Sequence, residues 1–207
     1  MAGFQPTVLP SLNDLQQYSV NRPNQLNGQR WELYDSASYA TGGQTNLDFF
    51  QIPQGQSSKT LADTNMESAG QLPAPKSFLL TDIQVFFLSG LAPSAPLGVA
   101  TNINDAVIFY EGKAWAELFI GSTYYMQQAP LGRFPPRNGL NGFASIPATD
   151  MAAYATYGGA PYAMKPEILI PPNQNFRFSL KWPAALAITT ASRVLVVFGG
   201  YQYRLSQ

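Results

Sequence analysis

The 207-residue chain contains neither cysteine nor histidine. Without cysteine there are no disulfides, thiolate nucleophiles or zinc–thiolate sites, and the redox compartment stays open. Without histidine the Ser–His–Asp and Cys–His nucleophile systems, the usual zinc sites and the commonest general base are also excluded. Charge is scarce as well. Asp, Glu, Lys and Arg make up 12% of the chain, 12 residues of each sign and none in excess, where roughly 25% is usual. No apolar run reaches the roughly 18 residues that a membrane-crossing helix needs. The start, "MAGFQPTVLPSLN", lacks the basic head and apolar core of a secretory signal. The first 28 residues carry one cation, Arg22, and one anion, Asp14. An arm that neutralises phosphates needs clustered cations, so no direct binding to nucleic acid is expected.

Amides take the place of charge: Gln (16) and Asn (12) together outnumber all the ionisable Asp, Glu, Lys and Arg side chains. Such a surface is polar but repels its own copies weakly, and zero net charge favours association. A neutral monomer would have the same composition, so both readings stay open on this ground. The length suits one domain.

Residues 1–28 are rich in Pro, Asn and Gln with scattered apolar side chains. Phe4, Val8, Leu9, Leu12, Leu15 and Tyr18 could anchor an extended arm on another surface. Ser11 can cap a short helix over "LNDLQQYS", with Asp14 at its third position. A frayed terminus is the alternative. From residue 29 to 207 the pattern is that of one β domain. "QRWELYDS" and "TNLDFFQI" are short aromatic-rich strands. "SFLLTDIQVFFLSG" (77–90) sets Ile83, Val85 and Phe87 on one face and Asp82, Gln84 and Phe86 on the other. "KAWAELFIGSTYYM" (113–126) sets Ala114, Ala116, Leu118 and Ile120 opposite Trp115 and Glu117. "NFRFSLKW" (175–182) alternates most cleanly, with Phe176, Phe178, Leu180 and Trp182 inward and Arg177, Ser179 and Lys181 outward. "SRVLVVFGGYQYRL" (192–205) is a long last strand whose Gly199–Gly200 pair predicts a bulge or a close approach.

Proline and Asn–Gly signals separate these runs. Two short helices are expected: "NDAVIFY" from Asn104, and "TDMAAYATY" (149–157), capped by Thr149 or Asp150. About eight strands with long Pro/Gly-rich loops favour an all-β sandwich of jelly-roll type. Long ordered loops usually bind something.

The most reactive-looking stretch is "QGQSSKTLADTNMESAG" (54–70). It lacks the glycine that a phosphate-binding loop places directly before its lysine; Ser58 stands there. Ser58 and Lys59 are adjacent, not in the S-x-x-K spacing of a Ser–Lys pair. Asp63 and Glu67 stand four apart but lack the grammar of a calcium loop. Bonding to local backbone and to a neighbouring subunit is the expected use of this loop. Carboxylates elsewhere, such as Asp35, Asp48, Asp82, Asp105, Glu111, Glu117, Asp150 and Glu167, are dispersed. Two of them could still meet in space as a histidine-free glycosidase pair. Aromatics make up 13% of the chain. Tyr124–Tyr125, Tyr154–Tyr157–Tyr162 and Tyr201–Tyr203 suit a sugar platform or a protein interface, where tyrosine is enriched.

Three stretches, 45–87, "PEILIPPNQNFRFSLKW" (166–182) and "RVLVVFGGYQYRLSQ" (193–207), together resemble bacteriophage virion structural proteins with a single jelly-roll domain. The resemblance lies in the order strand, proline, loop, strand and in a hydrophobic last strand that ends on a basic residue, here Arg204. It implies a non-enzymatic capsid building block: a major capsid protein, or a head cement or decoration protein. It also implies a trimer or pseudo-hexamer in the virion, with copies of itself and other virion proteins as partners and no cofactor or metal. On that reading the subunit contacts fall on the arm (Phe4, Leu9, Leu12, Tyr18), on the polar loop (Ser57, Lys59, Asp63, Asn65, Glu67) and on Tyr154 and Tyr157. A carbohydrate- or receptor-binding sandwich is the alternative.

Overall fold

The computed structural model describes residues 26–88, 90, 103–136, 140–146, 151–156 and 159–205. In chain order the strands are β1 (Leu26–Tyr39), β2 (Asn46–Phe49), β3 (Ser77–Leu88), β4 (Trp115–Ile120), β5 (Thr123–Gln128), β6 (Leu140–Ile146), β7 (Met151–Thr156), β8 (Tyr162–Ile170), β9 (Phe176–Lys181) and β10 (Ser192–Leu205). One helix, α1 (Ile103–Glu111), stands between β3 and β4, and a 3-10 turn (Leu131–Arg133) follows β5. Eight strands form two four-stranded sheets, ordered β1-β10-β3-β8 and β2-β9-β4-β5, while β6 and β7 make a separate hairpin. Every strand pairing is antiparallel. The fold is an all-β sandwich, as the alternation predicts.

The period-two pattern places the core correctly. Ile83, Val85 and Phe87 of β3, Ala116, Leu118 and Ile120 of β4, and Phe176, Phe178 and Leu180 of β9 are all buried. One apolar cluster takes in residues from both sheets. Phe198 of β10 lies 5.4 Å, centroid to centroid, from Phe178 of β9 and 4.6 Å from Phe50. Each such ring removed from water contributes about 1.5–3 kcal/mol. A second aromatic group joins α1 to the sandwich: Phe109 lies 5.7, 4.9 and 5.5 Å from Tyr39, Phe87 and Trp182.

α1 also completes a strand. β8 pairs with β3 only between Phe78 and Ile83. Beyond that point the Val85 N–H donates to the Phe134 carbonyl (2.9 Å). The Tyr110 hydroxyl donates to the Val85 carbonyl (2.9 Å) and accepts from the Phe87 N–H (3.1 Å). Asp105, in the first turn of α1, is buried and accepts the N–H groups of Thr189 (2.8 Å) and Thr190 (3.2 Å). The Tyr110 side chain of α1 and the Phe134 backbone after the 3-10 turn thus stand in for the missing strand, since buried backbone groups need partners.

Three expectations change in detail. The helix expected over 149–157 is not formed: Met151–Thr156 is strand β7, paired with β6. Pairing with β6 overrides the helix preference of its alanines. The run 113–126 is two strands, turned at Gly121 (φ +62°). Ser179 is on the outward face of β9 as expected, but it is fully buried there, beside Asp48.

The Gly199–Gly200 pair works as its sequence implies. Thr81 of β3 is an extra residue there: Gly199 pairs with Asp82 and Gly200 with Leu80. The Thr81 hydroxyl bonds the Gly199 carbonyl at 3.0 Å. A Cβ on Gly200 would overlap the Leu79 carbonyl oxygen, and one on Gly199 the Asp82 carboxylate. Gly200→Ala should therefore destabilise the domain by about 1–3 kcal/mol through overpacking. Denaturant unfolding checks this, and an unchanged midpoint would show that the strand yields freely.

Candidate functional site

Among the described residues β10 is the only strand that pairs with β1, which makes β1 an edge strand. Its free side shows backbone groups at Glu32, Tyr34 and Ser36, an open template for another chain. The polar loop after β2 takes all three. The Ser36 N–H donates to the Asp63 carbonyl (2.8 Å), and the Asn65 N–H donates to the Tyr34 carbonyl (3.3 Å). The Asn65 side chain accepts from the Tyr34 N–H (3.0 Å) and donates to the Glu32 carbonyl (2.7 Å). Thr64 adds its hydroxyl to the Tyr34 carbonyl (3.1 Å), and the Tyr34 hydroxyl reaches the Leu61 carbonyl (2.5 Å). The loop serves as a fifth strand written in side-chain amides and hydroxyls.

Asp35 fastens it. Asp35 shares the inward face of β1 with Leu33 and Tyr39, and its side chain is 1% exposed. One carboxylate oxygen accepts the Lys59 ammonium (2.6 Å); the other accepts the Phe50 N–H (2.6 Å). Phe50 has φ +68°, which is unusual for a bulky side chain. Its ring is fully buried, and its carbonyl accepts the Gly70 N–H (2.8 Å). The Phe176 N–H in turn donates to the Gly70 carbonyl (2.7 Å), so the loop closes onto β9. Ser57, at φ +49°, is exposed in the turn that presents Lys59. Burial pushes the Asp35 carboxyl above the usual range, and the bonds from Lys59 and Phe50 only partly reverse it. Asp63 goes the other way: the Thr60 N–H and hydroxyl, with Arg193 at 2.8 Å, hold its carboxyl low. Glu67 pairs with Lys76.

Of the expected contact residues, Lys59, Asp63, Asn65 and Glu67 are thus engaged within their own chain. Phe4, Leu9, Leu12, Tyr18 and Tyr157 lie outside the described residues, and Tyr154 is on β7.

A second surface stands on the outward face of the β2-β9-β4-β5 sheet. Asp48, Ser179, Glu117 and Gln127 lie side by side across its four strands. Ser179 donates to Asp48 (2.5 Å), Lys181 pairs with Glu117 (2.7 Å), and the Trp115 indole donates to Glu117 (2.8 Å). Burial pushes the Glu117 carboxyl up, but bonds from Lys181 and Trp115 and the charges of Lys181 and Arg177 outweigh it and hold it low. Beside this row Arg177 sits 4.7 Å over the Phe119 ring, and Phe119 lies 4.0 Å from Tyr124. Tyr124 and Tyr125 are 57% and 50% exposed. The outward Arg177 and Lys181 were legible in the alternation of β9, and Tyr124–Tyr125 stood out as a pair. Asp35 had no sequence signal beyond being one of several dispersed carboxylates, because its partners are 15 and 24 residues away.

No protein-family model, curated protein or solved structure matches the chain. Among the described residues no group of His, Cys, Asp and Glu is placed to hold a metal, and no helix is long and apolar enough to cross a membrane.

Lys59→Met removes the cation and leaves Asp35 buried. Breaking such a pair costs about 3–5 kcal/mol at neutral pH. The loss should shrink on acidification. Without Lys59 the folded carboxyl titrates higher still, so the variant loses stability as pH rises from about 3.9, the unfolded value, through that raised value. Melting of both proteins from pH 3.5 to 7 checks this. A deficit independent of pH would place the cost elsewhere.

Proposed function

We propose that this chain is a non-enzymatic shell subunit of a bacteriophage virion, built as a single jelly roll. The strand order carries the reading. The eight sandwich strands alternate between sheets in nested pairs: β1 beside β10 and β2 beside β9, then β3 beside β8 and β4 beside β5. Folding one long antiparallel ribbon over a core gives this order, and double-sheet jelly rolls occur in viral capsid domains, lectins and cupins. Within that group the surface favours the shell. It is net neutral and rich in amides, so burying it between copies costs less than burying ionised groups. Modest contacts repeated by symmetry then add up without covalent links. The trimer or pseudo-hexamer and the place of the subunit, main shell or cement, belong to the same proposal.

Two other readings have one observation each. The Phe119–Tyr124–Tyr125 surface with Arg177 would suit a carbohydrate ligand. Asp48 and Glu117 flank Ser179, but a glycosidase acid needs a raised pKa, and Glu117 is held low. Native mass spectrometry and negative-stain imaging of the purified chain across a concentration series test the proposal. Closed symmetric oligomers or particles are expected. A strict monomer at high concentration that binds immobilised glycans through Tyr124 and Tyr125 would replace the shell with a lectin.

A further inference from the structure

A sandwich of two open sheets has four edges, and each must be managed. Here the first edge, β1, is covered by its own polar loop. The second, β8, carries Pro166 between Lys165 and Glu167, and its pairing with β3 is interrupted over that stretch. Proline supplies no N–H, so this edge is blunted. The third, β2, is only four residues long and bears Asp48. The fourth is β5, Thr-Tyr-Tyr-Met-Gln-Gln. It has six residues and, among the described residues, no charge, proline or covering loop; its protection is a bulge at Tyr125. It also carries adjacent exposed tyrosines, 57% and 50% accessible.

The register of β5 adds detail. Leu118 pairs with Met126 and Phe119 with Tyr124, so Tyr125 is an extra residue and both tyrosines oppose Phe119. The regular ladder resumes at Met126–Gln128. The edge therefore offers a short ladder next to an aromatic surface already ordered by Phe119 and Arg177. Ordered rings lose little further freedom on contact.

We propose that β5 is a homotypic contact: it pairs antiparallel with β5 of a second copy across a two-fold axis, with Tyr124 and Tyr125 packing over the junction. This deepens the shell reading and rests on it. Charge selects the occupant. β5 has no ionisable charge, so two-fold pairing sets no like charges opposite one another. Of the charges beside it, Lys181 is held by Glu117 at 2.7 Å and Arg177 lies near Asp48 at 3.8 Å, while the Arg133 guanidinium donates to Gln128 at the end of the strand (3.1 Å). The strand itself has no charge with which to recruit a charged peptide or a nucleic acid, and it matches a chain that is itself net neutral. A two-fold contact is isologous, so one patch serves both partners.

The absence of cysteine makes the test clean, because an introduced thiol is unique. Gln127→Cys places it on β5 without touching the tyrosines, and Lys165→Cys places it on the blunted β8 edge. Under dilute assembling conditions a short bismaleimide should join Gln127→Cys chains into dimers and leave Lys165→Cys chains single. The double variant Tyr124→Ser/Tyr125→Ser should keep the native circular dichroism and raise the dissociation constant at least about tenfold. Equal cross-linking at both positions, no dimer from Gln127→Cys in assembled protein, or unchanged association of the double variant would each overturn the β5 contact and leave the shell reading standing. A wild-type chain that never associates would overturn both.

Discussion

The buried carboxylate of Asp35 is the constraint on which much of the architecture turns. An acid on the inward face of an edge strand is costly unless it is bonded. Here it takes an ammonium from Lys59 and a backbone N–H from Phe50. Those two bonds fix both the near end and the middle of the polar loop. With them in place Asn65, Thr64 and Asp63 fall opposite Glu32, Tyr34 and Ser36, and the free side of β1 is closed. Phe50 enters the core against Phe176 and Phe198. The pair is not a strong source of stability, since burial leaves the Asp35 carboxyl above its ordinary range. It supplies specificity instead: an unpaired Asp35 would penalise any arrangement in which the loop leaves the edge.

The same logic runs around the sandwich. Where β8 leaves β3, Tyr110 and Phe134 take over its backbone groups. Where the loop before β10 would stray, Asp105 holds the N–H groups of Thr189 and Thr190. With only 12 residues of each charge, most ionised groups seen here are used inside the chain. A few exposed charges of both signs, such as Arg30, Glu32, Glu111 and Lys165, remain beside amide, hydroxyl and ring. That is the physical link from composition to the proposed shell reading: many of the charges are bonded within the subunit, and the surface that remains is sparsely charged.

The sheets were legible because burial on one face imposes a period of two. "NFRFSLKW" and "SFLLTDIQVFFLSG" named their inward apolar residues correctly, although the polar Ser179 and Gln84 are buried as well, and Gly199–Gly200 marked the bulge opposite Thr81. "TDMAAYATY" misled, because alanine's helix preference is weak against the ladder that β6 offers to β7. The loop at 54–70 was readable in its bonding to its own chain. Its role as a cover for β1 was not readable, because nothing local ties Asp35 to Lys59 or Tyr34 to Asn65. Sheet edges are decided by topology, so β5 as the least protected edge emerged only from the strand order.

The central claim is that the polar loop belongs to the folded subunit rather than becoming ordered at a contact between subunits. Hydrogen–deuterium exchange on the dissociated full-length chain tests it most directly. The amides of Ser36, Phe50, Asn65 and Gly70, each bonded within the chain, should exchange as slowly as those of β10 in the centre of its sheet. Fast exchange at these four amides in the free subunit, with protection appearing only on assembly, would contradict the account and make the loop a subunit contact instead.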